Sequence, residues 1–213
     1  MLENKNCKNK RVHVVLFDFG GVLSEEGWKK GLRIIAKANG VHPDSFLQTA
    51  ADTIYETGYI LGKGSQSDFW KSLKTKTGIR GDVASLSGEL ISRFALNDAM
   101  METVRNLKSN NFIVGILSDQ TDWLEGLNAR FDFFRHFDYV FNSYHLGKGK
   151  RDPSLFDDIA GLLRETPENI LFIDDDPGNI QRARQKGWKA ILYTDFKSFR
   201  EEINEIIQER TLV

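Results

Sequence analysis

The stretch "VVLFDFGGVLSEEGW", Val14 to Trp28, runs four apolar residues straight into Asp18 and then into the pair Gly20-Gly21. Val14 to Phe17 have the β-branched and aromatic character of a buried strand. Such a strand can end on a carboxylate for two reasons. The chain is leaving the sheet through an ordinary turn, or the strand is presenting Asp18 for chemistry.

The rest of the chain repeats the pattern. Further short apolar runs read as strands: "VHVVLFDF" (12–19) is followed by "FIVGILSD" (112–119), "DYVFNSY" (138–144), "ILFIDD" (170–175) and "KAILYTD" (189–195). Near-continuous hydrophobicity suits strands covered on both faces, as in a parallel sheet. Between them lie segments of helical period: Met100, Val104 and Leu107; Leu155, Ile159 and Leu162; Phe199, Ile203 and Ile206. Alternating strands and helices predict an α/β fold with a Rossmann-like parallel sheet.

One interval breaks the rhythm. From Ser24 to about Phe94 there are helical patterns but no convincing strand. Trp28, Leu32 and Ile35 share one helical face, and Gly40 marks a stop. Further helices are expected from Asp44 to about Tyr55 and through 67–73. The expected organisation is an α/β core of residues 1–24 and 95–213, with a helical cap of residues 25–94 inserted after the first strand.

Composition narrows the function. The 213 residues are 40% hydrophobic and 28% charged, and 29 Lys and Arg face 30 Asp and Glu for a net charge of -1. That balance offers no basic surplus for nucleic acid. No apolar run approaches the length of a membrane span. The segment before the first strand has no apolar signal region, and Cys7 is the only cysteine, so no internal disulfide is possible. A soluble, cytoplasmic protein is expected.

In open α/β sheets ligands collect beyond the carboxyl ends of the strands. Asp18, Ser118 with Asp119, and Asp174 with Asp175 all stand at such ends, as does Asp195. In "LFIDDDPGN" (171–179), Asp176 precedes Pro177, a favoured helix start. Asp174 and Asp175 remain, and with Asp18 they would form an oxygen-rich pocket suited to Mg²⁺, unless they are a solvated acidic turn. Ser118 could donate its hydroxyl to a substrate oxygen, with the Asp119 backbone N–H as a second donor, or it could cap the next helix. In "LGKGKRDPSLF" (146–156), Lys148 and Lys150 lie in a glycine-containing loop where either could meet an anion. Neither "GKGK" nor "LGKGS" (61–65) has the spacing of a nucleotide P-loop. No histidine is placed to activate a serine or bind zinc.

The order Asp18-Phe19-Gly20-Gly21, Ser118, Lys150-Arg151-Asp152-Pro153, then Asp174-Asp175 with Asn179 resembles the haloacid dehalogenase-like (HAD) hydrolase superfamily, subfamily I, with a helical cap of the C1 type. The resemblance runs from about Arg11 to Thr211. It implies a nucleophile at Asp18 that becomes a phosphoaspartate, phosphate binding by Ser118, and a motif-three lysine at Lys150, with Arg151 in place of the family's proline. That register selects Lys150 over Lys148. It also implies Mg²⁺ held by Asp18, Asp175, the Gly20 carbonyl and the flanking Asp174. The expected function is Mg²⁺-dependent hydrolysis of a small phosphorylated metabolite.

One position departs from the pattern. Most phosphatases of the family carry a second aspartate two residues after the nucleophile, which protonates the leaving group and then activates water. Here that position is Gly20. General acid–base help is worth roughly 10²–10⁴ in rate. Three readings therefore stand: a phosphatase that works without this acid, a non-catalytic phosphate-binding module, or a metal-independent dehalogenase. Trp28, Tyr55, Tyr59 and Trp70 could line a substrate pocket or belong to the core.

Overall fold

The computed structural model describes residues 12–208. Cys7 and the basic segment Lys8 to Arg11 lie outside the described residues. The chain opens with β1 (Val14–Phe17), then passes through four helices, α1 (Gly27–Ala38), α2 (Pro43–Glu56), α3 (Gln66–Thr77) and α4 (Val83–Ile91). It continues with α5 (Asp98–Ser109), β2 (Ile113–Ser118), α6 (Trp123–Phe131), β3 (Tyr139–Asn142) and the single turn α7 (Ser143–Leu146). The last elements are α8 (Ser154–Leu163), β4 (Ile170–Asp174), α9 (Pro177–Gln185), β5 (Lys189–Leu192) and α10 (Phe196–Gln208).

All five strands pair in parallel in the order β3-β2-β1-β4-β5. β1 is central because it is sheathed on both sides. Val15 and Phe17 point into one apolar cluster, with Met100, Val104, Leu124 and Phe199 from α5, α6 and α10. Val14 and Leu16 point into the other, with Leu155, Ile159 and Ile180 from α8 and α9. This period-two division is what a strand without a polar face requires. Each fully buried Val, Leu or Phe contributes roughly 1.5–3 kcal/mol relative to exposure.

The helical period assigned to 155–162 is corrected by one residue. Leu155 and Ile159 are buried as expected, but Leu163 completes the face and Leu162 is 60% exposed. The strands are also shorter than the apolar runs, β1 for instance being Val14–Phe17 within 12–19.

The four helices α1 to α4 form one insertion between β1 and α5. Its entry and exit are tied together: Ser24 bridges Leu96 in antiparallel fashion, Glu25 N–H donates to the Ala95 carbonyl at 2.8 Å, and Asn97 N–H donates to the Leu23 carbonyl at 2.9 Å. Among the described residues, no helix is long and apolar enough to cross a membrane.

Candidate active site

Three neighbouring parallel strands, β2, β1 and β4, end in Ser118, Asp18 and Asp174, so the sheet register itself gathers these groups. Ser118 Oγ donates to Asp18 Oδ1 at 2.7 Å. This is a bond between strand ends, not a cap on the following helix. Lys150 Nζ lies 2.9 Å from the same Asp18 Oδ1 and 2.6 Å from Asp174 Oδ2. The lysine is only 2% exposed, and burial alone would lower its pKa. The charges of Asp174, Asp18 and Asp119 outweigh burial and raise it, so the ammonium stays charged.

Lys148, two residues earlier, is on the surface, bonded to Ser154 and Asp158. The choice between the two loop lysines is thus made by burial. The Lys150 loop is itself fixed, since its backbone N–H donates to Asp119 Oδ1 at 2.9 Å. The Asp119 side chain is therefore a clamp on this loop.

Asp174 is completely buried and fully engaged. Besides Lys150, it accepts from Asn179 Nδ2 at 3.0 Å and from the Asp176 N–H at 2.7 Å. Burial raises its pKa, while Lys150 opposes the rise. Asp176 caps α9 by accepting from the Asn179 N–H at 2.9 Å, with Pro177 in the first turn. Asp195 likewise accepts from the N–H groups of Lys197 and Ser198 at the start of α10, away from this site.

Asp175 is different. Burial first, and the charge of Asp18 second, push its pKa up to about 7. Its nearest cation, Lys29 Nζ, is 3.9 Å away and lies 2.9 Å from Glu26 instead. Gly21 makes room for this carboxylate. At φ +83° it sits where side chains are strained, and a Cβ there would lie 2.6 Å from Asp175 Oδ2.

Oxygens of Asp18, Asp174 and Asp175 come within 4.8 Å of one another. An all-oxygen donor set of three carboxylates, with one buried lysine against them, fits a hard divalent cation such as Mg²⁺. Gly20 has ordinary backbone geometry, and a Cβ added there meets nothing closer than Gln120 Nε2 at 3.9 Å. The missing side chain is therefore not excluded by space.

Above these residues is a cavity of about 220 Å³. Its floor is Asp18, Ser118, Lys150 and Asp175, and its roof is Trp28, Ile54 and Tyr55 from α1 and α2. Of the aromatic residues considered from sequence, Trp28 and Tyr55 line this space. Tyr59 and Trp70 are buried in the core, Trp70 donating its indole N–H to Ser87 at 2.7 Å. Sequence reasoning missed Glu26, Gln120, Thr121 and Trp123 in the lining. The Trp123 indole N–H is buried with no partner among the described residues.

Tyr55 ties roof to floor. Its hydroxyl donates to Asp119 Oδ2 at 2.8 Å, and burial together with Asp119 raises its pKa. The guanidinium of Arg151 stacks on the Tyr55 ring, 3.8 Å from its centre.

The chain is similar to several known proteins. A bifunctional epoxide hydrolase 2 of Rattus norvegicus is 23% identical over 131 residues, 58% of this chain but 23% of that protein. The chain thus spans about a quarter of that relative's length. A D-ribitol-5-phosphate phosphatase of Bacteroides thetaiotaomicron is 23% identical over 205 residues, 91% of this chain and 97% of that protein. Among solved structures, a HAD family enzyme from Bacteroides thetaiotaomicron superposes with a TM-score of 0.71 at 17% identity, covering 89% of this chain and 98% of its own. A further structure of that enzyme, in complex with magnesium and inorganic phosphate, has a TM-score of 0.63 at 18% identity over 88% of this chain and 98% of its own. Residues 12–202 match the haloacid dehalogenase-like hydrolases, and the chain belongs to that family.

Proposed function

We propose that this hydrolase is a Mg²⁺-dependent phosphatase that cleaves a small phosphomonoester through a phosphoaspartate on Asp18. The observation that carries the reading is the asymmetric hold on Asp18. Ser118 and Lys150 both bond Oδ1, while Oδ2 has no hydrogen-bond partner among the described residues. A carboxylate pinned at one oxygen and free at the other is a pre-aimed nucleophile.

In the first step the free oxygen attacks phosphorus, the bond to the leaving-group oxygen breaks, and the phosphoryl group passes to Asp18. Lys150 balances the charge of the phosphoryl oxygens, and Ser118 can turn its hydroxyl from the carboxylate to one of them. Asp174 and Asn179 act on Lys150 and hold its ammonium in place. In the second step water attacks phosphorus and releases phosphate and Asp18. Asp18, Asp175 and the Gly20 carbonyl would hold Mg²⁺ beside the neighbouring Asp174. When bound, the cation supplies positive charge to the phosphoryl oxygens.

Position 20 contributes no proton, so esters with good leaving groups turn over best. Residues 25–94 serve as a cap that shelters the substrate, and the cavity size favours a small metabolite over a macromolecule. The relative named as a D-ribitol-5-phosphate phosphatase and the fold relative with bound magnesium and phosphate support this reading. A metal-independent dehalogenase would leave the charge of Asp175 with only Lys29, 3.9 Å away, to offset it. The absent side chain at Gly20 favours, as second reading, a phosphate-binding module without turnover.

The test is hydrolysis of p-nitrophenyl phosphate with Mg²⁺ and with chelator, by the wild type and by Asp18→Asn. Metal-dependent release of p-nitrophenol, reduced at least about 10³-fold in the variant, is the expected result. Activity that survives the substitution overturns the assignment of Asp18. Folded wild type that is stabilised by phosphate and Mg²⁺ yet turns nothing over selects the binding module.

A further inference from the structure

The cavity has an uneven charge inventory. Five carboxylates line it, Asp18, Glu26, Asp119, Asp175 and Asp176, against two cations, Lys150 and Arg151. Lys150 is spent on Asp18 and Asp174. Arg151 has no carboxylate within ion-pair distance among the described residues. Arg151 is exposed at the wall of this acid-rich cavity, where its guanidinium is open to an anion that the protein itself does not contain.

Its setting fits that role. The Arg151 guanidinium carbon lies over the Tyr55 ring, 3.8 Å from its centre. A stacked guanidinium uses its face for the ring and keeps its N–H donors in the plane, free to make a forked bond to a carboxylate or phosphate. The platform is rigid, because the Tyr55 hydroxyl is held by Asp119, and Asp119 also holds the backbone N–H of Lys150, the residue next to Arg151. Much of the ordering cost of a long side chain is thus met before a ligand arrives.

Adjacent Cα atoms are about 3.8 Å apart, so the guanidinium branches off within a side chain's reach of the scissile phosphate. The rest of the roof, Trp28, Ala51, Ile54 and Ile60, is apolar or aromatic and offers an anion no charge.

We infer that Arg151, seated on Tyr55, binds a second anionic group of the substrate, a carboxylate or a second phosphate, on its leaving-group side. The inference rests on the phosphatase reading and names the substrate class within it: phosphomonoesters with two anionic groups. A purely structural role for Arg151 would be to strap α2 to the Lys150 loop, and it makes a different prediction. A strap acts on all substrates alike, whereas a receptor acts on those that carry the second anion.

The experiment compares matched esters in the presence of Mg²⁺. 3-Phosphoglycerate differs from glycerol 3-phosphate by a carboxylate, and fructose 1,6-bisphosphate differs from fructose 1-phosphate by a phosphate. The wild type should favour the doubly anionic member of at least one pair in kcat/KM, and the pair tells carboxylate from phosphate. Arg151→Leu should reduce that ratio roughly 10- to 100-fold, mainly through KM, and Arg151→Lys should restore part of it. A wild type that prefers neither doubly anionic ester overturns the inference. So does an Arg151→Leu protein that loses both members of a pair equally.

If p-nitrophenyl phosphate is not hydrolysed either, it is the phosphatase reading that fails. Thermal shifts with the same four esters and Mg²⁺ then decide the role of Arg151. A shift specific to a doubly anionic ester and lost in Arg151→Leu upholds the receptor, and its absence overturns it.

Discussion

Asp174 and Asp175 leave the same strand end, yet they belong to two halves of the site built on opposite terms. In the Asp174 half the carboxylates share a buried cation. Lys150 bridges two carboxylates, and Asn179 and the Asp176 N–H take the remaining acceptor positions. In the Asp175 half the carboxylate is partly buried, Lys29 stands 3.9 Å away, and Gly20 and Gly21 supply no side chain. Burying charge is costly unless it is paired. The closed half is therefore a finished structural element that orients Asp18, and the open half is where the chain supplies little positive charge of its own.

Removing Lys150 strikes the closed half hardest. Lys150→Met leaves Asp18 and Asp174 buried without their cation, and breaking such a cluster costs roughly 3–5 kcal/mol. Urea unfolding should show the midpoint falling by that equivalent with an unchanged slope. A loss below about 1 kcal/mol would mean that the two halves do not differ as described.

Filling the open half should produce a gain. Gly20→Asp has the necessary space and backbone geometry. Turnover of glycerol 3-phosphate, an ester with a poor leaving group, should rise about 10²-fold, at the lower end of what general acid–base help supplies. p-Nitrophenyl phosphate, whose leaving group needs no proton, should gain much less. Equal gains for both esters would place residue 20 out of reach of the leaving oxygen.

A further effect is the pH dependence of the open half. Asp175 has a folded pKa of about 7 against an ordinary 3.8, so the folded chain holds a proton there that the unfolded chain releases. Its stabilising contribution is complete below about pH 4 and is lost as pH rises through 7. In chelator, Asp175→Asn should flatten that decline in Tm between pH 4 and 7, and Mg²⁺ should stabilise the wild type increasingly as pH rises. Parallel curves for the two proteins would show that Asp175 is not the group responsible.

The fold was legible because both faces of the sheet are covered. β1, β2 and β4 are nearly unbroken in apolar residues, and that pattern with helical spacing between them leaves few architectures. The helix α4 was missed, although Asp82 caps it by accepting from the Ser85 N–H. Its nine residues are too few for a clear period. At the site, Asp18, Ser118, Asp174 and Asp175 were visible because strand ends converge by topology. Lys150 was separable from Lys148 only through the family pattern, since which of two nearby loop lysines becomes buried is decided by the sheet it folds onto. Tyr55 was visible as an aromatic residue, but not its bond to Asp119, 64 positions away. No local signal records such a pairing.

The paired linkers at Ser24 and Leu96 bear on how the chain folds. β1 and β2 are neighbours in the sheet, with Val14 beside Ile113, although the whole helical insertion separates them in sequence. Loop-closure entropy grows only as the logarithm of length, so lengthening the β1–β2 connection from about 25 to about 95 residues adds roughly 1 kcal/mol. Once Ser24 and Leu96 meet, even that cost is met locally, and β1 and β2 can associate as if joined by a short connection. The insertion can then vary in length and composition at little expense to the order in which the sheet assembles.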